Sequence, residues 1–479
     1  MGTSLLATDG YKFSMAEAGW PLRRETFYYS HRKGGPQVVP FDVERVIRSL
    51  LPDVDEAETA WLASNQYEPG AGTWAALRSR DALVIRALPK GAVFLPGEPV
   101  FSVTGPSALV SWLEPLLLQL NFRIQVATLA VTNRAALVRS LCAVTCEQEQ
   151  RIALDTLDGI GAHPVELRVD PGAYLDRVRA QAAALVEIVG DPARIFEVGL
   201  RAATCVEQHL LALEGCRAAG VSRTSHTLGA QRLGMVPIGT MGHEHVQRYG
   251  SDVAAFRAMR ERRPGRSSYL LDTFDTLRSG LPAALELIAE EPRRGDSIRY
   301  DSGDKLVQYR VATEEAKRRG LRPVQILEDA LDLEATRAFE QLREEVGWRP
   351  EEQFYGYGGH LVARTAPHPL TRDRVAAVYK LSQTGDAPTM KFGDERAEGK
   401  QSVPGRPVVF RRVRGEGPVG LVGQEGEPVP DGYILLTGAQ EAPAEARYAL
   451  TATDARIAPS PATRALMDAQ LRRREALRS

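Results

Sequence analysis

RIFEVGL (194–200), AGVS (219–222), MVPIGT (235–240), SSYLLDT (267–273), DSIRYD (296–301), PVQILED (323–329), EQFYGYG (352–358) and AAVYKLS (376–382) are short apolar runs spaced along the middle of the chain. Amphipathic stretches separate most of them: RAATCVEQHLLALEGCRAA (201–219), VAAFRAMRERR (253–263), TLRSGLPAALELIAEE (276–291) and EEAKRRG (314–320). A strand, a polar tip and a helix, repeated, is the pattern of βα units around a parallel sheet. With this many units a closed or nearly closed α/β barrel is expected, and a doubly wound open sheet is the alternative.

The flanks differ in texture. ALVIRALPKGAVFLPGEPVFSVTGP (82–106) reads as strands broken by Pro-Gly turns, and SALVSWLEPLLLQLNFRIQVATLAVTNRAALVRSLCAV (107–144) as two helices. RPVVFRRVRGEGPVGLVGQEGEPVPDGYILL (406–436) reads as a β-rich tail, and TRALMDAQLRRREALRS (463–479) as a terminal helix whose basic residues face solvent. The expected division is an N-terminal α+β unit over 1–135, an α/β barrel with the active site over 136–375, and a C-terminal β-rich segment over 376–479. That segment is expected to pack with the N-terminal unit.

The chain has 479 residues, with 60 Lys and Arg against 61 Asp and Glu. This balance excludes a strongly basic nucleic-acid binder and gives no bulk attraction to anionic membranes. No window approaches eighteen uncharged apolar residues, so no membrane span is expected. MGTSLLATDGYKFSM lacks the pattern of a secretory signal, which makes a reducing cytoplasm the expected compartment. Four cysteines are too few for a disulfide framework. Cys142 and Cys146 read as small buried thiols on one helix, with a metal pair as the alternative.

In a parallel barrel, chemistry collects where strands end and loops begin. The tips here carry Arg201; Arg223, Thr224, Ser225 and His226; Thr240, His243, Glu244 and His245; Asp272 and Asp275; Arg299, Asp301, Ser302 and Asp304; Glu328 and Asp329; and Gly356, Gly358, Gly359 and His360. Seven successive tips so equipped are hard to explain as packing. Gly356-Tyr-Gly358-Gly359 exposes backbone N–H groups suited to a phosphate, or is simply a tight turn. Asp301-Ser-Gly-Asp304 suits ribose hydroxyls or a Mg²⁺-bound diphosphate, or is a capped turn. His243-Glu244-His245 reads as a functional imidazole, a structural pair or a metal pair.

TDGYKFSM (8–15), SRTSHTLGAQRLGMVPIGTMGHEH (222–245), LLDTFDT (270–276), IRYDSGD (298–304), YGYGGHLV (355–362) and VYKLS (378–382) occur in this order. Together they resemble the nicotinate phosphoribosyltransferase family, and more distantly its nicotinamide-using relatives. The resemblance implies an incomplete α/β barrel of the type II phosphoribosyltransferase class, with a β-rich domain formed from both chain ends. It implies transfer of a phosphoribosyl group from 5-phosphoribosyl 1-diphosphate to nicotinate in NAD salvage, with nicotinamide as the alternative acceptor and a barrel that binds a pyridine nucleotide without turnover as the remaining alternative. Mg²⁺ as cofactor, ATP as co-substrate and a homodimer with shared active sites are implied with it.

Residue roles carry over from the same motifs. His243 falls where the family has a phosphorylated histidine, and Arg299 and Asp301 where it has residues near the pyridine and ribose. Asp9 and Tyr11 match the segment whose tyrosine stacks on the pyridine from a partner subunit. Arg201, Thr224, Ser225 and Asp272 are implied to contact substrate. Gly358 and Gly359, with Lys391 and Arg406 from the tail, are implied to hold phosphates. Ser225 stands where nicotinamide users have aspartate; an uncharged donor there favours nicotinate. Val198 stands where the family has a ring-sandwiching phenylalanine, with Phe196 as the alternative occupant of that place, while Arg223 replaces a glycine and His226 an asparagine.

Overall fold

The computed structural model describes residues 3–18, 22–265, 267–363, 370–392, 401–443 and 456–478. At its centre is a seven-stranded sheet whose pairings are all parallel. Across the sheet the strands run Val236–Pro237, Arg223–Thr224, Ile195–Glu197, Gln353–Tyr357, Val324–Leu327, Ser297–Tyr300 and Ser268–Leu270. Taken in chain order, each strand but one lies beside the next, and the last returns to pair with the first. The one break falls between Val236–Pro237 and Ser268–Leu270, which are not hydrogen-bonded to each other. The sheet is therefore a barrel open at a single seam, as the recurrent βα pattern predicts.

Packing explains why these strands read as apolar runs. Helices such as Val206–Ala218, Leu281–Glu290 and Lys305–Arg318 cover the outer face, where Tyr269, Ile298, Tyr300, Leu327 and Tyr355 are fully buried. Alternation then turns Arg299, Ile326 and Phe196 towards the inner face. Capping fixes where the helices begin. Asp304 accepts from the Val307 N–H at 3.2 Å and Asp275 from the Arg278 N–H at 2.9 Å. Asp304 is thus a helix cap, the structural member of the Asp301–Asp304 pair.

A five-stranded antiparallel sheet stands beside the barrel and joins both ends of the chain. Its order is Ala387–Pro388, Ala377–Thr384, Arg24–His31, Pro99–Pro106, Val84–Ala87. AAVYKLS therefore does not continue the barrel. Tyr379 pairs with Tyr29 and Lys380 with Tyr28, so the run completes the N-terminal unit's sheet. The stretch 107–144 forms three helices, Ser107–Trp112, Glu114–Thr132 and Arg134–Leu141, where two were expected. The tail adds a four-stranded sheet with Pro407–Arg412 and Gly420–Gln424 at its centre.

Two contacts lock the barrel to the antiparallel sheet at the seam. Arg248, on the helix His243–Tyr249, makes a bidentate pair with Glu25 at 2.8 Å, and neither is exposed to solvent. The N-terminal segment crosses Gly239 so closely that a Cβ there would lie 2.4 Å from the Gly10 carbonyl carbon. The terminal helix Pro461–Arg478 is docked, against the expectation of a solvated basic face. Arg474 Nε donates to the Phe274 carbonyl at 2.8 Å, and Arg478 pairs with Asp275 at 3.0 Å. Cys142 and Cys146 do not share a helix: the first closes Arg134–Leu141 and the second caps Glu147–Gly159, with its sulfur 3.5 Å from that of Cys205. No helix among the described residues is long and apolar enough to cross a membrane.

Candidate active site

A cavity of about 800 Å³ runs from the inner face of the barrel to the antiparallel sheet. It is lined by Asp9, Tyr11, Arg201, Ser225, His243, Arg299, Asp301, Gly358, Gly359 and Lys391, all expected from the sequence. Arg32, Glu114, Arg223, Glu328 and Lys380 join them.

The densest chemistry lies beside the seam. His243, the first residue of its helix, presents Nε2 to Asp272 at 2.9 Å and stands 3.6 Å from Asp301. Asp272 is fully buried behind the lining and also accepts from the Ser302 hydroxyl at 2.5 Å and Lys391 at 3.3 Å. Burial pushes the Asp272 carboxyl up, but Lys391 and His243 outweigh it and hold the group well below the usual carboxylate range. Burial and the Lys391 charge lower the His243 imidazole against the pull of Asp272, so it is neutral near pH 7. An ionised Asp272 at Nε2 keeps the hydrogen there and leaves Nδ1 as the nitrogen with an open lone pair. Asp301 is brought down to about 2: burial and Asp272 raise it, while His243, Lys391 and Arg299 lower it further.

The motif His243-Glu244-His245 divides into three separate tasks. Glu244 takes Lys12 at 2.9 Å and the Ser111 hydroxyl at 2.6 Å. His245 donates to the Ala255 carbonyl at 2.9 Å, and burial drops its pKa to about 4, which makes it structural. One carboxylate or imidazole atom from each of His243, Asp272 and Asp301 lies within 4.8 Å of the others, a spacing a cation could bridge. Asp272 already has three partners, so Asp301, partly exposed, is the carboxylate open to a hard cation.

The pyridine end is built around the strand Arg223–Thr224. Side chains alternate across it, so Arg223 and Ser225 line the cavity and Thr224 points away. Thr224 therefore does not line the cavity. Its hydroxyl bonds Glu197 at 2.7 Å, within a buried set in which Glu197 takes His209 at 2.9 Å and His209 meets His226 at 2.9 Å. Ser225 donates to Asp9 at 2.6 Å, so its hydrogen is already committed. Burial raises the Asp9 carboxyl, opposed by Arg201 and by that hydroxyl. Tyr11 lines the cavity of its own chain. Gly10 N–H bonds the Ser225 carbonyl and Asp9 bridges to His226, which draws the segment in. The Tyr11 hydroxyl and Lys12 both donate to Glu114, at 2.7 and 2.6 Å. Burial raises Glu114, but Lys12 and Arg201 outweigh it and hold the carboxyl low.

The phosphate-type groups separate in the same way. Gly358 and Gly359 lie on the cavity wall, beside Gly356, where a Cβ would strike the Glu328 side chain at 2.6 Å. Lys391 is in the cluster already described. Arg406 is not: it precedes the strand Pro407–Arg412, lies 3.8 Å from Glu425 and does not reach the cavity. Lys380 was missed. It sits in the quoted VYKLS, but a lysine within an apolar strand gives no local sign that it faces a cavity. Burial and Lys391 lower it to about 7, with Glu114 opposing and Arg32 and Arg201 adding to the fall.

No protein-family model matches the chain. A nicotinate phosphoribosyltransferase of Mycobacterium tuberculosis is 30% identical over 282 residues, which span 58% of this chain and 57% of that protein. The human nicotinate phosphoribosyltransferase is 26% identical over 496 residues, covering 89% of this chain and 78% of its own length. Among solved structures, the nicotinate phosphoribosyltransferase of Porphyromonas gingivalis superposes with a TM-score of 0.58 at 18% identity, over 84% of this chain and 96% of that one. The Vibrio cholerae enzyme does so at 0.58 and 16%, over 82% and 89%. The structural likeness shows a shared fold, and the sequence likeness runs through most of the chain. On these grounds the chain is similar in sequence to nicotinate phosphoribosyltransferases over most of its length and shares the fold of solved ones.

Proposed function

We propose that this protein joins nicotinate to 5-phosphoribosyl 1-diphosphate, releasing nicotinate mononucleotide and diphosphate in NAD salvage. The pyridine nitrogen forms a bond to ribose C1 as the bond from C1 to the diphosphate oxygen breaks. The observation that carries this reading is the His243–Asp272–Lys391–Asp301 cluster, set at the barrel seam in one cavity with an aromatic and polar pyridine end. Asp301, ionised and open to the cavity, suits the ribose and the positive charge that develops on it. Lys391, Lys380 and Arg32 supply positive charge for the leaving diphosphate. Gly358 and Gly359 offer uncovered backbone N–H groups to the 5′-phosphate. Mg²⁺ would be held by Asp301 together with substrate oxygens and would neutralise diphosphate charge when bound.

The neutral imidazole of His243, oriented by Asp272, supports a second proposed step. Nδ1 bonds the γ-phosphorus of ATP as its bond to the ADP oxygen breaks, and water later hydrolyses the phosphohistidine. ATP hydrolysis is thereby coupled to transfer. A homodimer in the cytoplasm belongs to the same reading. A second acceptor, nicotinamide, is favoured by one observation: the Asp9 carboxylate at the pyridine end has an oxygen, Oδ2, without a hydrogen-bond partner among the described residues.

The test is product formation from labelled nicotinate or nicotinamide with 5-phosphoribosyl 1-diphosphate and Mg²⁺, with and without ATP. Mononucleotide from nicotinate, increased by ATP in the wild type but not in His243→Ala, is the expected result. Product from nicotinamide alone would move the chain to the other acceptor. An ATP effect that survives in His243→Ala would remove His243 as phosphoryl acceptor.

A further inference from the structure

The cavity wall carries several cations, and their contacts separate those already committed from those left for a ligand. Arg299 bonds the Thr240 hydroxyl and the Met241 carbonyl and lies 3.7 Å from Glu328. Arg201 lies 3.6 Å from Glu114 and 3.9 Å from Asp9. Lys391 is 3.3 Å from Asp272. Arg223 differs from all three. Among the described residues it has no ion pair or hydrogen bond, and its guanidinium rests instead over two rings, Phe196 at 5.7 Å and Phe354 at 5.9 Å. Those rings are stacked on each other at 5.3 Å and 14°. The arginine is half-buried and shares the cavity-facing side of its strand with Ser225, two residues on. Ser225 cannot offer its hydrogen to a ligand while it donates to Asp9.

We infer that Arg223 is the residue that reads the acceptor's carboxylate, so that the site selects a carboxylated pyridine through this cation. The assignment rests on the phosphoribosyl-transfer reading above. A guanidinium laid on aromatic faces is held by cation–π attraction while its N–H groups stay available. Its planar fork matches a carboxylate with two charge-assisted bonds, whereas a carboxamide presents one neutral acceptor and a competing donor pair. Partial burial strengthens the difference, because the pair is less screened than in water. The Phe196–Phe354 pair has its own purpose in this scheme: it carries the arginine stem and keeps the guanidinium at the wall.

The experiment compares kcat/KM for nicotinate and nicotinamide in the wild type, Arg223→Met and Arg223→Lys. Methionine keeps an apolar stem on the rings and removes the charge. The expected result is a fall of about tenfold to a hundredfold in the nicotinate-to-nicotinamide ratio for Arg223→Met, carried by the nicotinate KM, with part of the ratio restored in Arg223→Lys. A ratio that stays within about twofold overturns the assignment while leaving the transfer reading intact. If the wild type makes no mononucleotide from either pyridine, the transfer reading fails first, and calorimetry with nicotinate then decides for Arg223. Affinity equal in the wild type and Arg223→Met overturns the assignment. If Arg223→Met does not fold, Arg223→Gln is read against the same two outcomes.

Discussion

Asp272→Asn changes one charge and almost no volume at the point where three partners converge: His243 at 2.9 Å, Ser302 at 2.5 Å and Lys391 at 3.3 Å. The carboxylate accepts the Nε2 hydrogen and leaves Nδ1 open. A carboxamide can turn its NH₂ to Nε2 instead, which moves the imidazole hydrogen to Nδ1, the proposed acceptor of the phosphoryl group. The same exchange in a Ser-His-Asp triad lowers kcat by about ten-thousandfold through the wrong tautomer. A loss of about a thousandfold to ten-thousandfold is expected here in phosphorylation of His243 by ATP. The charge of His243 does not explain such a loss, because removing Asp272 removes a group that raises the imidazole pKa, and the ring remains neutral at pH 7. Among the described residues Lys391 keeps only Asp301 as an acidic partner, at 3.9 Å, so stability falls by about 1–3 kcal/mol. The assay is acid-labile, alkali-stable label retained on the protein from γ-labelled ATP, with urea unfolding as the control for fold. Incorporation at the wild-type rate in a folded Asp272→Asn protein would refute the tautomer argument.

Further predictions follow from the same contacts. Lys380, faced by Lys391, Glu114, Arg32 and Arg201, loses its proton as pH rises through about 7. The charged form is the one that attracts phosphates, so kcat/KM for 5-phosphoribosyl 1-diphosphate should fall above pH 7 by at most about tenfold per unit. Lys380→Arg should remove that limb, since arginine stays charged. Arg474 bonds the Phe274 carbonyl at 2.8 Å and lies 5.3 Å over the Phe392 ring, beside Asp272 and Lys391 respectively. Arg474→Ala is expected to lower kcat about tenfold with little change in KM, and an unchanged kcat would show that the terminal helix does not position these two groups. Arg248→Met leaves Glu25 buried without its counter-ion, so urea unfolding should show a loss of about 3–5 kcal/mol.

The barrel was legible because a strand buried on both faces is a continuous apolar run, and the polar residue that follows marks its tip. RIFEVGL, SSYLLDT, DSIRYD, PVQILED and EQFYGYG each contain a barrel strand. AGVS fell just short, since the strand begins at Arg223. AAVYKLS has the same texture, yet its partner is Arg24–His31; nothing local tells a parallel neighbour from an antiparallel one more than three hundred residues away. Site residues followed the same division. His243, Asp301, Gly358 and Gly359 stand at tips and line the cavity as expected. Thr224 does not, because period-two alternation turns it to the other face. Arg406 does not, because its segment belongs to the tail's own sheet. Ser225 reads as a free donor until its contact with Asp9, 216 residues earlier, is known. Glu114 and Lys380 carried no signal beyond being charged residues in apolar surroundings.

The proposed coupling of a pyridine to a phosphoribosyl group in this cavity changes the phosphorus species in solution. One-tube ³¹P NMR of the full chain with nicotinate, 5-phosphoribosyl 1-diphosphate and Mg²⁺ tests it most directly. A mononucleotide phosphate signal and a free diphosphate signal are expected to grow together, one for one, with neither appearing when nicotinate is omitted. Diphosphate released at the same rate without nicotinate, or substrate left unchanged by the folded protein, would contradict it.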